Sequence, residues 1–127
     1  MSKTYIIAEI GINHNGDIEL AKHLIRESSK AGCNAVKFQK RTIEKVYAPE
    51  ELDRLRESPW GTTNREQKEG LEFSLEQYKE LYASAKEYDL DFIISCWDVD
   101  SVRLVEDNLD IDYHKVASAL ATDKEFL

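Results

Sequence analysis

Apolar residues along this chain alternate between short β-branched runs and stretches with helical spacing. Residues 5–10 form an apolar run, and the turn-forming residues 11–16 follow it, which predicts a strand and then a loop. From Leu20 onward, apolar residues recur every three or four positions, with Asp17 as a suitable N-cap and Gly32 as a suitable end. The first segment is therefore predicted to be a β-strand followed by an α-helix.

The strand signal recurs at residues 34–39, 91–95 and 112–117, which are short runs rich in apolar and β-branched residues. Strands that alternate with helices pair in parallel through right-handed crossovers, because a tight hairpin cannot join parallel neighbours. The predicted fold class is therefore α/β, with about four parallel βα units. Residues 41–73 interrupt the alternation, and a connection of that length is typical of a lid, an assembly surface or a binding loop.

Capping signals mark the later helices. Ser74 is followed three residues on by Gln77, which predicts a capping box at the start of a helix. Residues 99–106 predict a short helix, and Thr122 with Glu125 predicts the start of one more.

The composition indicates one soluble globular domain, with 127 residues of which 42% are hydrophobic and 33% are charged. No stretch approaches the roughly 20 apolar residues that span a bilayer, and the start of the chain lacks the features of a secretory leader, so we expect a cytoplasmic protein. Cys33 and Cys96 are then expected to be reduced. The net charge of -8 argues against binding to nucleic acid or to an acidic membrane.

Polar residues stand at strand ends where a purely structural parallel strand would be apolar; they are Glu9, Lys37, Gln39, Ser95 and Lys115. The loops after parallel strands are where barrels and doubly wound sheets place their sites. A lysine about 4 Å from a phosphate gains on the order of 4 kcal/mol at an effective dielectric near 20, which offsets the cost of burying the lysine. The pattern predicts a site for a small anion; the alternative is that Glu9 pairs with Lys37 or Lys115 and nothing binds.

Four motifs carry a family resemblance. AEIGINHNG at residues 8–16, VKFQ at 36–39, KVAS at 115–118 and RESPWGTTNREQKEGLEF at 56–73 resemble the sialic acid (N-acetylneuraminate) synthases and their legionaminate and pseudaminate relatives. The resemblance implies that residues 1–127 are the N-terminal half of a (β/α)₈ TIM barrel. The remaining barrel strands and the family's small antifreeze-like domain are then absent.

The resemblance also implies roles for single residues. Lys37, Lys115 and Ser118 are expected to hold the phosphate and carboxylate of phosphoenolpyruvate. Gln39 is expected to contact the sugar. Glu9 is expected near the reacting groups, as a catalytic residue that orients a lysine or relays a proton.

Asn13 and Asn15 in the first loop, and Ser95 at the third strand, are further candidates for binding substrate. Two positions depart from the family pattern. Cys96 stands where many members have a threonine that helps to hold the phosphate, and Leu120 stands where many have a glutamate.

In this family a divalent metal, manganese or magnesium, is held by two histidines from later strands, and it polarises the aldehyde of the open-chain sugar for attack by phosphoenolpyruvate. His14, His23 and His114 do not have the spacing of such a pair and are interpreted as surface or cap histidines. No metal ligand is predicted in this chain, and no metal is expected to be bound by it alone.

The expected activity is condensation of phosphoenolpyruvate with an N-acylated amino sugar, such as N-acetylmannosamine, to give a nonulosonic acid. A complete barrel needs roughly 250 residues, so this chain alone is expected to be inactive. The alternative is a non-catalytic half-barrel that assembles into a homo-oligomer, or that binds a small anion. An aldol synthase that makes eight- or seven-carbon sugar acids from phosphoenolpyruvate is disfavoured by the AEIGINHNG start.

Overall fold

The computed structural model describes residues 3–127. Its strands are β1 (Ile7–Gly11), β2 (Ala35–Lys40), β3 (Leu55–Ser58), β4 (Gly61–Thr63) and β5 (Asp91–Cys96). Its helices are α1 (Ile18–Lys30), α2 (Ile43–Val46), α3 (Pro49–Leu52), α4 (Asn64–Gly70), α5 (Leu75–Glu87) and α6 (Val99–Asn108), with a 3₁₀ helix at Ser118–Leu120. Within residues 3–127, no helix is long and apolar enough to cross a membrane.

The central sheet has three parallel strands in the order β1-β2-β5. In its register Glu9 lies beside Lys37, and Gln39 lies beside Ser95. Side chains alternate along a strand, and neighbours in register project to the same side. Glu9, Lys37, Gln39 and Ser95 therefore share one face of the sheet, which we call the open face, and the predicted common side for Lys37 and Gln39 is confirmed.

The other face, which we call the helix face, carries the core. Val36, Phe38, Phe92 and Ile94 are each at most 1% exposed there. Helices α1, α5 and α6 cover them with buried residues of their own, namely Ala21, Ile25, Tyr78, Leu81, Ala85 and Val105. Burying such side chains stabilises the fold by about 1.5–3 kcal/mol each, so the helix face supplies most of the driving force for folding.

The helix starts predicted at Asp17 and Ser74 are confirmed. The Asp17 carboxylate accepts hydrogen bonds from the backbone of Glu19 and Leu20 at the start of α1. Ser74 and Gln77 form a reciprocal capping box at the start of α5. These caps satisfy backbone N–H groups that the first helical turn leaves without partners.

The fourth predicted strand, residues 112–117, forms only one parallel bridge, between Ile94 and His114. This segment has a neighbour on one side only, and its backbone is also held by a side chain, since Ser95 Oγ donates to the Lys115 carbonyl. The helix expected from Thr122 and Glu125 is replaced by turns that follow the 3₁₀ helix. In those turns Asp123, and not Thr122, accepts from the backbone of residues 125 and 126.

The long connection, residues 41–73, folds into α2, α3, the antiparallel hairpin β3-β4, and α4. It packs closely on the loop after β1. A Cβ atom at Gly16 would lie 2.0 Å from the Gly70 carbonyl oxygen, and a Cβ at Gly70 would lie 2.2 Å from the Trp60 ring. The two glycines therefore allow a close stack of the Trp60 ring, α4 and the first loop.

Candidate functional site

An ion pair joins β1 and β2 on the open face. Lys37 Nζ contacts a carboxylate oxygen of Glu9, its neighbour in register. The Lys37 side chain is 13% exposed and that of Glu9 is 49% exposed. Because the lysine is largely removed from water, the carboxylate offsets its desolvation. The pairing that the sequence left open is thus present.

An open cavity of about 450 Å³ lies beside this ion pair. Its lining residues are Tyr5, Ile7, Lys37, Ile93, Tyr113, His114 and Lys115. Two lysines from separate elements therefore line one space. Within residues 3–127, no carboxylate lies within salt-bridge distance of Lys115, so this cation is available to an anionic ligand.

Gly11 ends β1 at an irregularity in the register with β2 and adopts a positive φ of 56°. A Cβ atom here would lie 3.0 Å from Glu9 Oε1 and 3.6 Å from Gln39 Nε2. A side chain at position 11 would thus meet two candidate site residues at once. Glycine suits the position because L side chains rarely adopt this conformation.

Ser95 is 2% exposed, and its hydroxyl donates a 3.1 Å hydrogen bond to the Lys115 carbonyl. In this arrangement Ser95 holds the backbone that carries Lys115. Its direct contact with substrate stays a prediction.

Of the predicted site residues, Lys37 and Lys115 line the cavity, and the others lie outside its lining. Ser118 is exposed in the 3₁₀ helix three residues after Lys115. Asn13 and Asn15 are exposed in the loop between β1 and α1, where Asn15 has a positive φ of 54°. The structure therefore brings together Glu9, Lys37, Gln39, Ser95 and Lys115, and leaves these three residues at the loops around them.

The sequence reasoning missed the aromatic wall of the cavity. Tyr5 precedes β1 and its ring meets that of Tyr113 edge to face, with centroids 6.5 Å apart. The Tyr5 hydroxyl donates to Asp91, and burial, together with that carboxylate, raises the pKa of Tyr5 well above its usual value. In the sequence, a tyrosine that lines a cavity looks the same as a tyrosine that packs within an apolar strand. This wall is therefore recognised only once β1 is paired with the rest of the sheet.

Cys96 lies on the helix face and is 1% exposed within the core. Burial raises the pKa of its thiol to about 12, so the group stays neutral. Leu120 lies in the 3₁₀ helix and lines a different cavity, together with Trp97 and Asp123. Neither position that departs from the family pattern lines the cavity beside Lys37.

His14 is buried, at 2% exposed, which corrects the expectation of a surface or cap residue. Its ring packs on Phe73 with centroids 4.2 Å apart, and burial lowers its pKa to about 4. His23 is exposed beside Arg26, and His114 contacts Glu106.

The described residues contain no group of three or more His, Cys, Asp or Glu side chains that could hold a metal ion. Divalent metal sites in proteins are built from converging donor side chains of these kinds. The donor set in residues 3–127 therefore does not fit a divalent metal.

The layered sheet and its cationic open face define a parallel α/β protein with the architecture of one wall of a (β/α)₈ barrel. The NeuB family matches residues 24–127, and the chain belongs to that family. N-acetylneuraminate-9-phosphate synthase from Drosophila melanogaster is 42% identical over 97% of this chain and 33% of its own length. The Homo sapiens enzyme of that name is 40% identical over 90% and 32%.

Other relatives extend the comparison. The N,N'-diacetyllegionaminic acid synthase of Campylobacter jejuni is 34% identical over 100% of this chain and 39% of its own length. The crystal structure of a spore coat polysaccharide biosynthesis protein E from Chromobacterium violaceum matches with a TM-score of 0.77 and 26% identity, over 98% of this chain and 37% of that one. The sialic acid synthetase of Leptospira borgpetersenii matches with a TM-score of 0.77 at 24% identity, over 94% and 38%.

The chain spans about a third of the length of the curated relatives that it matches. These comparisons confirm the predicted family and the predicted fold class, an α/β half-barrel with parallel strands. The curated relatives named above are synthases of nonulosonic acids, and they support a carbohydrate-synthesising role for the family.

Proposed function

We propose that this chain carries the phosphoenolpyruvate-binding part of a synthase that condenses phosphoenolpyruvate with an N-acylated amino sugar. The observation that carries the proposal is the cavity of about 450 Å³ that Lys37 and Lys115 line together. A phosphate and a carboxylate on one small ligand match two ammonium groups on separate elements. The sialic and legionaminic acid synthases among the relatives support the sugar class.

In the proposed reaction, carbon 3 of phosphoenolpyruvate bonds to the aldehyde carbon of the sugar, and the aldehyde oxygen takes up a proton. Water then adds to carbon 2 and inorganic phosphate leaves, which gives the keto acid. Lys115 attracts the anion, and Lys37 shares its charge between the anion and Glu9. The ion pair supports an orienting role for Glu9, and in this proposal Gln39, on the same face, contacts the sugar.

Calorimetric titration with phosphoenolpyruvate tests the site. We expect Lys37→Ala and Lys115→Ala each to weaken binding at least tenfold, because a cation near a phosphate contributes on the order of a few kcal/mol. Lys30→Ala is the matched control, since Lys30 lies at the exposed end of α1 and pairs with Glu27. Equal affinity in all four proteins would leave both site lysines with a structural role only.

Phosphate release with N-acetylmannosamine and manganese tests turnover. We expect binding of phosphoenolpyruvate without turnover by this chain, because a closed barrel of this kind needs roughly 250 residues. Phosphate release that depends on both added sugar and metal would contradict the half-site, and would show instead that these residues suffice for catalysis.

The open face favours a second role, assembly with another copy of the chain. Tyr5, Ile7 and Tyr113 are 47%, 43% and 55% exposed around the cavity, and β1 is an edge strand of the sheet. Exposed apolar side chains and a free strand edge both promote association. We expect sedimentation at tens of micromolar to show a dimer or larger species, and a stable monomer would contradict this role.

A further inference from the structure

The loop that joins β1 to α1 is built around a buried imidazole. The His14 ring lies against Phe73, with centroids 4.2 Å apart, and against Phe38, with centroids 6.0 Å apart. Phe38 belongs to β2 and Phe73 to the end of the long connection. His14 thus lies where three segments of the chain meet, and it is 2% exposed.

The His14 ring meets the backbone of its own loop at two places. Nδ1 accepts a 3.0 Å hydrogen bond from the backbone N–H of Gly16. Because Nδ1 accepts, the neutral ring carries its proton on Nε2. The ring also lies near the backbone of Gly11, and this interaction opposes the lowering of the His14 pKa by burial. The imidazole therefore lies between the first and last residues of the loop.

Each end of this loop is packed against another element. Gly11 lies between the Glu9 carboxylate and the Gln39 amide, at 3.0 and 3.6 Å from the position of its missing Cβ. Gly16 lies against the Gly70 carbonyl of the long connection. A shift of Gly11 would therefore displace the two polar groups of the open face that flank it.

We propose that His14 is a positioning residue: its imidazole braces the loop from Gly11 to Gly16 and so sets the placement of the Glu9 carboxylate and the Gln39 amide. This inference rests on the proposed function only for its effect on phosphoenolpyruvate, through the contact of Glu9 with Lys37. The contacts by which His14 holds the loop involve no ligand and are independent of that function.

His14→Phe is the diagnostic variant, because it keeps a ring against Phe73 while it removes the hydrogen bond to Gly16 and the polar approach to Gly11. We expect about tenfold weaker binding of phosphoenolpyruvate, since displacing a site residue by a fraction of an ångström lowers affinity steeply. His14→Asn retains an acceptor and a donor, and we expect it to recover part of that loss. His23→Phe is the matched control, as His23 is exposed on α1 and lies outside this loop.

Nuclear magnetic resonance supplies readouts that do not need the ligand. In the wild type, long-range ¹H–¹⁵N spectra of the imidazole should show the proton of His14 on Nε2. In His14→Phe the side-chain amide signal of Gln39 should shift, and in His23→Phe it should not. A core-packing role alone would leave the Gln39 signal and the affinity unchanged once folding is matched.

The outcomes separate the two proposals. If the wild type does not bind phosphoenolpyruvate, the proposed function fails. The tautomer of His14 and the Gln39 signal then still test whether His14 braces the loop. A wild-type imidazole with its proton on Nδ1, or a Gln39 signal that is unmoved in a folded His14→Phe, overturns the brace. If His14→Phe does not fold, the wild-type tautomer and His14→Asn decide it.

Discussion

The two faces of the central sheet come from alternate residues of the same strands, yet they differ in almost every physical respect. On the helix face, Val36, Phe38 and Ile94 are fully buried against helices. On the open face, Lys37 pairs with Glu9 beside an open cavity. Two successive residues of β2, Lys37 and Phe38, thus belong to a charged site and to an apolar core.

Because successive residues of a strand face opposite sides of the sheet, residues that stabilise the fold and residues of the proposed site occupy neighbouring positions. The apolar area of the helix face stabilises the fold regardless of what binds opposite to it. The open face keeps a partly desolvated cation that contributes little to folding, because its pairing with a carboxylate roughly balances its desolvation. Substitutions on the two faces should therefore have different readouts.

Phe38→Ala tests the helix face and has the largest expected effect. We expect a loss of about 3–5 kcal/mol in the free energy of unfolding, because the side chain is fully buried and its removal leaves a cavity. Urea unfolding followed by circular dichroism measures it. Gln39→Ala, one residue along and on the open face, is the matched comparison, and its expected change is about 0.5 kcal/mol. Similar losses for the two variants would refute the division.

The helix face could be predicted well from the sequence. Apolar periodicity placed three strands and their helices within a few residues, and local capping signals at Asp17 and Ser74 fixed where α1 and α5 begin. Caps are readable because they involve residues two or three positions apart. The prediction of a fourth strand at residues 112–117 was wrong, because this segment makes a single bridge to β5 and no continuous ladder, and an apolar run does not reveal whether such a ladder forms.

The open face could be predicted in part. Polar residues at strand ends indicated Glu9, Lys37 and Gln39, since a polar side chain inside an apolar run stands out. The burial of His14 could not be predicted, because it depends on Phe73, at the far end of the long connection. A histidine between turn-forming residues has the local pattern of a surface loop. Tyr5 and Tyr113 were missed for the same reason, as their contact arises only when the sheet forms.

Acid should destabilise the fold through His14, which packs against the helix face while it belongs to the loop of the open face. Its pKa is about 4 in the folded protein, against 6.5 ordinarily, so the unfolded chain takes up the proton first. The resulting stabilisation is complete above pH 6.5 and is lost as the pH falls from 6.5 towards 4. The loss is about 3 kcal/mol.

Urea unfolding of the wild type and of His14→Phe at pH 7 and pH 4 isolates this contribution, because all other titrating groups are shared. We expect the wild type to lose about 3 kcal/mol more than the variant between the two pH values. Parallel losses in the two proteins would show that His14 titrates normally and that burial does not hold it neutral.

Ser95 lies on the open face but is buried, so a substitution there tests whether a buried residue of that face contributes to stability, to binding or to both. Ser95→Ala removes the hydrogen bond to the Lys115 carbonyl and should lower the free energy of unfolding by about 1 kcal/mol. Because that bond holds the backbone of a proposed anion-binding lysine, calorimetry should also show weaker binding of phosphoenolpyruvate. Ser84→Ala in α5 is the control, with an expected stability change within about 0.5 kcal/mol. Lost stability with unchanged affinity would assign Ser95 to the scaffold alone, and the boundary between site and scaffold would then lie between Gln39 and Ser95.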